Sequence, residues 1–363
     1  MTLTRIAGTA GTIAIEREPG RIADEWDELA SRARAVPFVR PGWIAAWWDE
    51  FGQGALEILT LRRGGRLAGV LPLSGDHTWL RSPTNDQTPE FGFVAEDAAA
   101  ADELAAAALD RARRRLTLSF VDASGWELAA LRDRAEARGY RVLARPVVRP
   151  PYLVVDGDWE AFQDRLAGRL LRDLRRRRRR LEDEGVLTFE VTDGTTNLED
   201  LLEDGFRVET SGWKAAQQTA IVSRPETRRF FTEVARWAAG RGWLRLAFLR
   251  LDGRALAFQF GLEEGGAYYF LKGGYETEFH RFAPGKLLVQ EMLERAFSSG
   301  LERFEFLGQP ESWKLEWTDD VRVLVVVDAF APSLAGRADW AAHSLRNSLA
   351  PLARRVRARA RSR

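Results

Sequence analysis

The sequence predicts a mixed α/β protein built from two copies of one fold. The chain matches itself at an offset of 188 residues: Leu61-Arg62-Arg63-Gly64-Gly65-Arg66-Leu67-Ala68-Gly69 falls without a gap on Leu249-Arg250-Leu251-Asp252-Gly253-Arg254-Ala255-Leu256-Ala257. The same offset carries Pro37 onto Pro225, Trp43 to Trp48 onto Phe231 to Arg236, and Leu116 to Phe120 onto Phe304 to Gly308. Each half also reads in one order of elements: helix, strand, tight Gly-Arg turn, strand, further strand, helix, strand.

In the first copy a helix is expected over residues 21–35. Pro37-Phe38-Val39-Arg40-Pro41-Gly42 leads into a second, whose Trp43, Trp47 and Trp48 share a face at helical spacing. Strands at 56–61 and 67–73 form the hairpin and 79–81 a short third strand, after which Ser82-Pro83-Thr84-Asn85-Asp86 breaks the chain. A helix at 97–113, a strand at 116–121 and a helix at 126–138 follow. Arg149-Pro150-Pro151 reads as the linker, which sets the expected domains at 1–149 and 150–330, with a basic C-terminal helix or tail at 331–363.

The second copy opens with one long helix over 159–184. Leu166, Leu170, Leu174 and Leu181 form its apolar stripe, and Arg165, Arg169, Arg172 and Arg175 to Arg180 surround the rest. This basic face is either solvated and offset by neighbouring acids, or a seat for a nucleotide phosphate, an RNA backbone or an anionic lipid surface. A strand at 187–191, a helix at 197–206 and a Ser/Gly turn at 209–214 come next. They are followed by a helix at 225–241, strands at 244–251, 255–262 and 266–271, and a loop from Lys272 to Ala283. A helix to 299, a strand at 303–307, a polar loop around Trp313-Lys314 and a last buried strand at 321–327 complete the copy.

Composition narrows the function. At 363 residues the chain can bury two cores, and 45% hydrophobic content with a net charge of +1 leaves no global field that demands a polyanion. No run of 18 apolar residues and no charged-then-apolar leader is present, so a cytoplasmic protein is expected, with peripheral membrane contact through the basic tail left open. Without Cys there are no disulfides, thiolate metal sites or Cys nucleophile. The three histidines, His77, His280 and His343, are too scattered to suggest a zinc cluster, and no metal is expected. Lys214, Lys272, Lys286 and Lys314 are the only lysines among 54 basic residues, and all lie in the second copy.

The copies differ most where chemistry would sit. Pro284-Gly285-Lys286 opens a helix in the second, where the offset gives Glu96-Asp97-Ala98 in the first. A helix start carries about half a positive charge and unpaired N–H groups, so it suits phosphate. Pro284 gives up only an N–H that was unpaired anyway, Gly285 lets a ligand approach, and Lys286 adds a cation.

Taken in order, Pro37-Phe38 with Trp43 and Trp47-Trp48, the basic helix before Gly185, Ser211-Gly212-Trp213-Lys214, Gly274-Tyr275, Pro284-Gly285 with Leu287-Leu288, and Phe304-Glu305-Phe306-Leu307-Gly308 ahead of Trp313-Lys314 resemble the cellulose-biosynthesis-type (CelD-like) branch of the GNAT acyltransferases. That branch is similar to the Fem-type peptidyl transferases. The resemblance implies tandem GNAT-like domains with the donor held in the second. The donor would be acetyl-CoA or another acyl-CoA, bound around Arg281, Pro284, Gly285, Lys286 and Leu287. In Arg281-Phe282-Ala283-Pro284-Gly285-Lys286 the family's phosphate-loop glycine is displaced by one position. Direct acyl transfer to an amine needs a base and a group on the developing oxyanion. Glu305 is the candidate base or else an ordinary strand residue; Lys314 holds the carbonyl oxygen or a phosphate, or only lies along the surface; Tyr275 is the candidate acid. Trp213, Lys214 and Lys272, with the cleft between the copies, are the candidate acceptor site. The implied acceptor is a small-molecule, sugar, peptide or cell-envelope precursor amine. Aminoacyl transfer from tRNA and a non-catalytic scaffold are the alternatives; beyond tRNA no nucleic-acid partner is expected.

Overall fold

A computed structural model describes residues 11–211 and 221–345 of the chain. Trp213 and Lys214, and the arginines beyond residue 345, lie outside the described residues. The first half contains β1 (Thr12–Glu16), α1 (Ala23–Arg32), α2 (Pro41–Phe51), β2 (Ala55–Arg63), β3 (Arg66–Gly75), β4 (Trp79–Arg81), β5 (Val94–Ala95), α3 (Ala98–Arg111), β6 (Arg115–Asp122), α4 (Trp126–Ala137) and β7 (Arg141–Val148). The second contains β8 (Tyr152–Val154), α5 (Trp159–Arg165), α6 (Gly168–Glu182), β9 (Leu187–Thr192), α7 (Leu198–Thr210), α8 (Pro225–Gly240), β10 (Leu244–Leu251), β11 (Arg254–Glu264), β12 (Ala267–Tyr275), α9 (Pro284–Ser298) and β13 (Arg303–Glu305); β14 (Leu324–Phe330) follows.

The strands form two mixed sheets, ordered β1-β2-β3-β4-β6-β14-β7 and β8-β13-β12-β11-β10-β9. The repeat is visible in both. Each begins with an antiparallel meander, and β4 then runs parallel to β6 as β12 runs parallel to β13. Both central hairpins turn through two left-handed residues, Gly64-Gly65 at φ 57° and 82° and Asp252-Gly253 at φ 48° and 82°. That is the two-residue turn that matches strand twist.

Several boundaries differ from expectation. The long helix of 159–184 is two helices, broken at Leu166 and Ala167. α5 packs Trp159 and Phe162 on Phe297, with Phe162 and Phe297 stacked at 5.0 Å, while α6 turns Leu171, Leu174 and Leu181 inward on its own axis. β1 and β7 carry half-exposed or exposed residues and gave no strong alternation. The last strand is Leu324–Phe330, and it inserts between β6 and β7, so the first sheet is completed by a strand that follows the second half in the chain. The strand expected to end at Leu271 continues as β12 to Tyr275, paired with β11 throughout.

The halves share a core. Phe38 and Trp43 of the first pack edge-on against Tyr269 and Phe230 of the second at 5.3 and 5.1 Å. Arg40, fully buried, bonds Asp27 in its own half and Glu264 of β11 at 2.5 Å. A second core of α9, α6 and the other face of the second sheet includes Leu287, Leu288, Met292, Phe304 and Phe306.

Candidate active site

β12 and β13 pair only from Ala267↔Arg303 to Tyr269↔Glu305 and then part. β12 stays with β11, so the sheet opens into a cavity of about 510 Å³. Its walls are the Phe270 to Tyr275 edge of β12, Phe306 to Gly308 beyond β13, the start of α9, Glu209 of α7, and the loop carrying Trp313 and Lys314.

Glycines shape this wall. A Cβ at residue 274 would lie 2.5 Å from the Glu209 Cα, and one at 273 would meet the Phe270 ring at 2.6 Å. Gly274 therefore lets α7 lie directly on the strand and Gly273 makes room for the Phe270 ring; they do not turn the chain. Neither has a positive φ. Leu307 and Gly308, at φ 55° and 62°, bend the chain away at the far side.

α9 begins with Pro284 after Ala283 in the left-handed region, with no side-chain cap on its N-terminus among the described residues. Ala283, Gly285 and Lys286 face the cavity. The Lys286 ammonium pairs with Glu316 at 2.5 Å, and His280, also in the lining, has its Nδ1 3.1 Å from the Thr277 carbonyl. Gly285 lies close to Tyr275, whose ring would be 3.1 Å from a Cβ there.

Of the residues singled out in sequence, Tyr275, Lys272, Gly285, Lys286 and Lys314 line this one cavity. Lys314 does so as an anchor. Its buried Nζ donates to the carbonyls of Leu307 at 2.7 Å and Gln309 at 3.1 Å and pairs with Glu311 at 2.6 Å, so it fixes the bend after β13. The Lys272 ammonium stands 5.2 Å over the Phe231 ring. Leu287 is buried behind the helix start in the core, and Pro284 is buried at its first turn. Arg281 turns away: it pairs with Glu184 at 3.0 Å and does not reach the cavity lining.

Glu305 is not brought to the cavity. Side chains alternate along a strand, and Phe304 and Phe306 take the face toward α9. Glu305 therefore points the other way, where Arg322 donates to it at 2.5 Å and to Glu90 of the first half at 3.3 Å. Burial raises the Glu305 carboxyl above its ordinary value, and Arg322 opposes the shift. Burial likewise pushes Glu90 up to about 7, against Arg322 and helped by Glu305. This cluster joins the halves. The cleft between the copies is likewise not the cavity, because α2 and α8 close it with the packed aromatic core; every described residue lining the cavity belongs to the second half.

The residues that sequence reasoning missed are Glu209, Gln259, His280 and Glu311. Glu209 is 1% exposed, and its Oε2 accepts from the Ile221 N–H at 2.8 Å. It continues the inward face of α7 after Leu202 and Phe206, and an acid at the next position of a buried stripe was the available signal. Gln259 accepts from the Tyr268 hydroxyl at 3.2 Å, while its buried Nε2 has no partner among the described residues. Among the described residues no cluster of metal-ligating side chains occurs, and no helix is long and apolar enough to cross a membrane.

Residues 168–315, which include the whole cavity lining, match the acetyltransferase (GNAT) domain family Acetyltransf_6. The fold is similar to that of the C-terminal DUF2156 domain assigned to a lysylphosphatidylglycerol synthetase of Agrobacterium fabrum, at 14% identity and a TM-score of 0.57, covering 91% of this chain and 96% of that one. It is also similar to FemX, at 13% identity and a TM-score of 0.57, covering 85% and 95%. A protein of unknown function from Bacteroides thetaiotaomicron has the same fold at 13% identity and a TM-score of 0.56, covering 88% and 100%. Curated protein sequences give no match. The second half of the chain is thus a domain of the GNAT fold, matched there by an acetyltransferase family, and the first half repeats its topology.

Proposed function

We propose that the protein is an N-acyltransferase that moves an acyl group from a coenzyme A thioester to an amine in the cavity of the second half. One observation carries this reading: the parted strands β12 and β13 leave an open cavity whose rim is a helix N-terminus with Gly285 and Lys286 and, among the described residues, no side-chain cap. The helix start fits a phosphate of the donor. The apolar wall of Phe270, Val289 and Phe306 fits its pantetheine arm.

The thioester is already activated, so the site has to position, deprotonate and stabilise. The amine nitrogen attacks the thioester carbonyl, the N–C bond forms, the C–S bond breaks, and the thiolate leaves and takes up a proton. Glu209 is the proton acceptor in this reading, directly or through one water, because it is the buried carboxylate on the cavity wall. Lys314 acts by holding the Leu307 carbonyl, so that the backbone at the end of β13 keeps its shape. The resemblance to the CelD-like branch places the acceptor among sugar, peptide or cell-envelope precursor amines.

The test is calorimetric titration with coenzyme A and acetyl-CoA of the natural protein and of a Gly285→Glu variant, whose carboxylate would sit at the helix start and against Tyr275. Saturable binding that the variant loses is expected. Absence of binding by the natural protein overturns the acyl-CoA donor, and equal binding by both proteins overturns its placement at α9.

A further inference from the structure

We infer that the arginine face of α6 is a docking surface for an anionic lipid bilayer. Arg169, Arg172, Arg175, Arg179 and Arg180 are exposed and form no ion pair or hydrogen bond among the described residues. Their neighbours behave differently: Arg176 and Arg177 share Asp173, and Arg178 pairs with Glu291 of α9. At 100° per residue the five lie on one side of the helix, opposite the buried Leu171, Leu174 and Leu181, and from Arg169 to Arg180 they extend over about 17 Å. Like charges three and four residues apart repel, so this face is relieved by a partner that presents many negative charges at once.

The form of the face favours a bilayer over nucleic acid. It carries guanidinium groups without an aromatic ring to stack on a base or an amide to read one. It is also the outer side of a surface helix, not a groove. An array of phosphate headgroups needs only a flat spread of cations, each attracted to the anionic surface. Val186, four residues beyond the helix, is an exposed apolar side chain near its C-terminal end.

Docking there also orients the cavity. α6 packs on the Thr277–Phe282 turn that carries His280, with Arg177 donating to the Arg281 carbonyl. The cavity mouth is then held beside the surface, where a substrate borne on a lipid would reach it.

The test is co-sedimentation of the full chain with vesicles of equal phosphatidylglycerol and phosphatidylcholine, and with phosphatidylcholine alone, at low and at raised salt. A variant with the five arginines changed to Gln keeps the arginines beyond residue 350, and its thermal unfolding checks the fold. Binding to the anionic vesicles alone, weakened by salt and reduced about tenfold or more in the variant, is expected. Unchanged binding by a folded variant assigns any membrane contact to the tail and overturns the inference. So does binding to transfer RNA without binding to vesicles, or binding to neither. Because the readout is docking, the result is independent of the acyltransferase reading.

Discussion

The two halves open their sheets at the same place and do opposite things with the opening. In the second, β12 follows β11 as far as Tyr275, and a cavity remains beside β13. In the first, β4 holds β3 for only two residue pairs, and the chain then crosses to follow β6: Ser82 N–H donates to the Thr117 carbonyl and Phe91 N–H to the Phe120 carbonyl. Ser82, Thr88, Phe91 and Phe93, all buried, fill the space. The helix starts divide in the same way. Asp97 caps α3 by accepting from Ala100 at 2.7 Å and pairs with Arg63, so those donors are spent within the protein, whereas α9 has no side-chain cap. Both bends survive at the shared offset, with Phe120 at φ 63° and Gly308 at φ 62°. One architecture thus makes either a plug or a pocket, depending on which neighbour the strand follows.

The largest effect is expected at Glu209. Glu209→Gln keeps an acceptor for Ile221 and removes the base, so kcat for acetyl transfer to a screened amine should fall by about 100-fold to 10,000-fold with KM little changed. An unchanged kcat would remove Glu209 from the chemistry. Breaking the plug comes next. Phe91→Ala should cost about 3–5 kcal/mol in denaturant unfolding while creating no coenzyme A site in the first half. If that variant gained a second equivalent of bound coenzyme A, the two openings would be interchangeable and the contrast false.

Gly274→Ala places a Cβ 2.5 Å from the Glu209 Cα, against backbone that cannot swing aside. A loss of about 1–3 kcal/mol is expected, together with lower activity, measured as Tm and turnover on the same preparation. The last expected effect is a tilt of stability with pH. Glu90 lies at about 7 when folded against 4.5 ordinarily, so between those values the folded protein keeps a proton that the unfolded chain has lost. Stability therefore falls as pH rises through that window and returns on acidification. Glu90→Gln should flatten this slope in Tm measured from pH 5 to 8, and a variant with the natural slope would show that Glu90 is not its source.

Much of the second-half site was legible because helix starts and strand edges are local. Pro284-Gly285-Lys286 gives the N-terminus of α9 from three residues, and the Asp252-Gly253 turn gives the hairpin that carries the cavity floor. Glu305, left open between base and strand residue, could have been decided in the chain: Phe304 and Phe306 flank it, and a period of two sends an acid between inward phenylalanines to the other face. Gly273-Gly274 misled because glycine marks both turns and close approaches; only the position of α7, distant in sequence, distinguishes them.

By itself the sequence determined the duplication, the hairpins, the mixed α/β class and the Pro284-Gly285-Lys286 helix start, since each depends on periodicity or on residues within a few positions. Tertiary structure alone decided that β14 closes the first sheet, that Arg322 joins Glu90 to Glu305, that Phe91 plugs one opening, and that Glu209 stands over the other. Those outcomes rest on which surfaces far apart in the chain bury one another. That choice is made by packing and by the need to pair buried charge, and no local pattern encodes it.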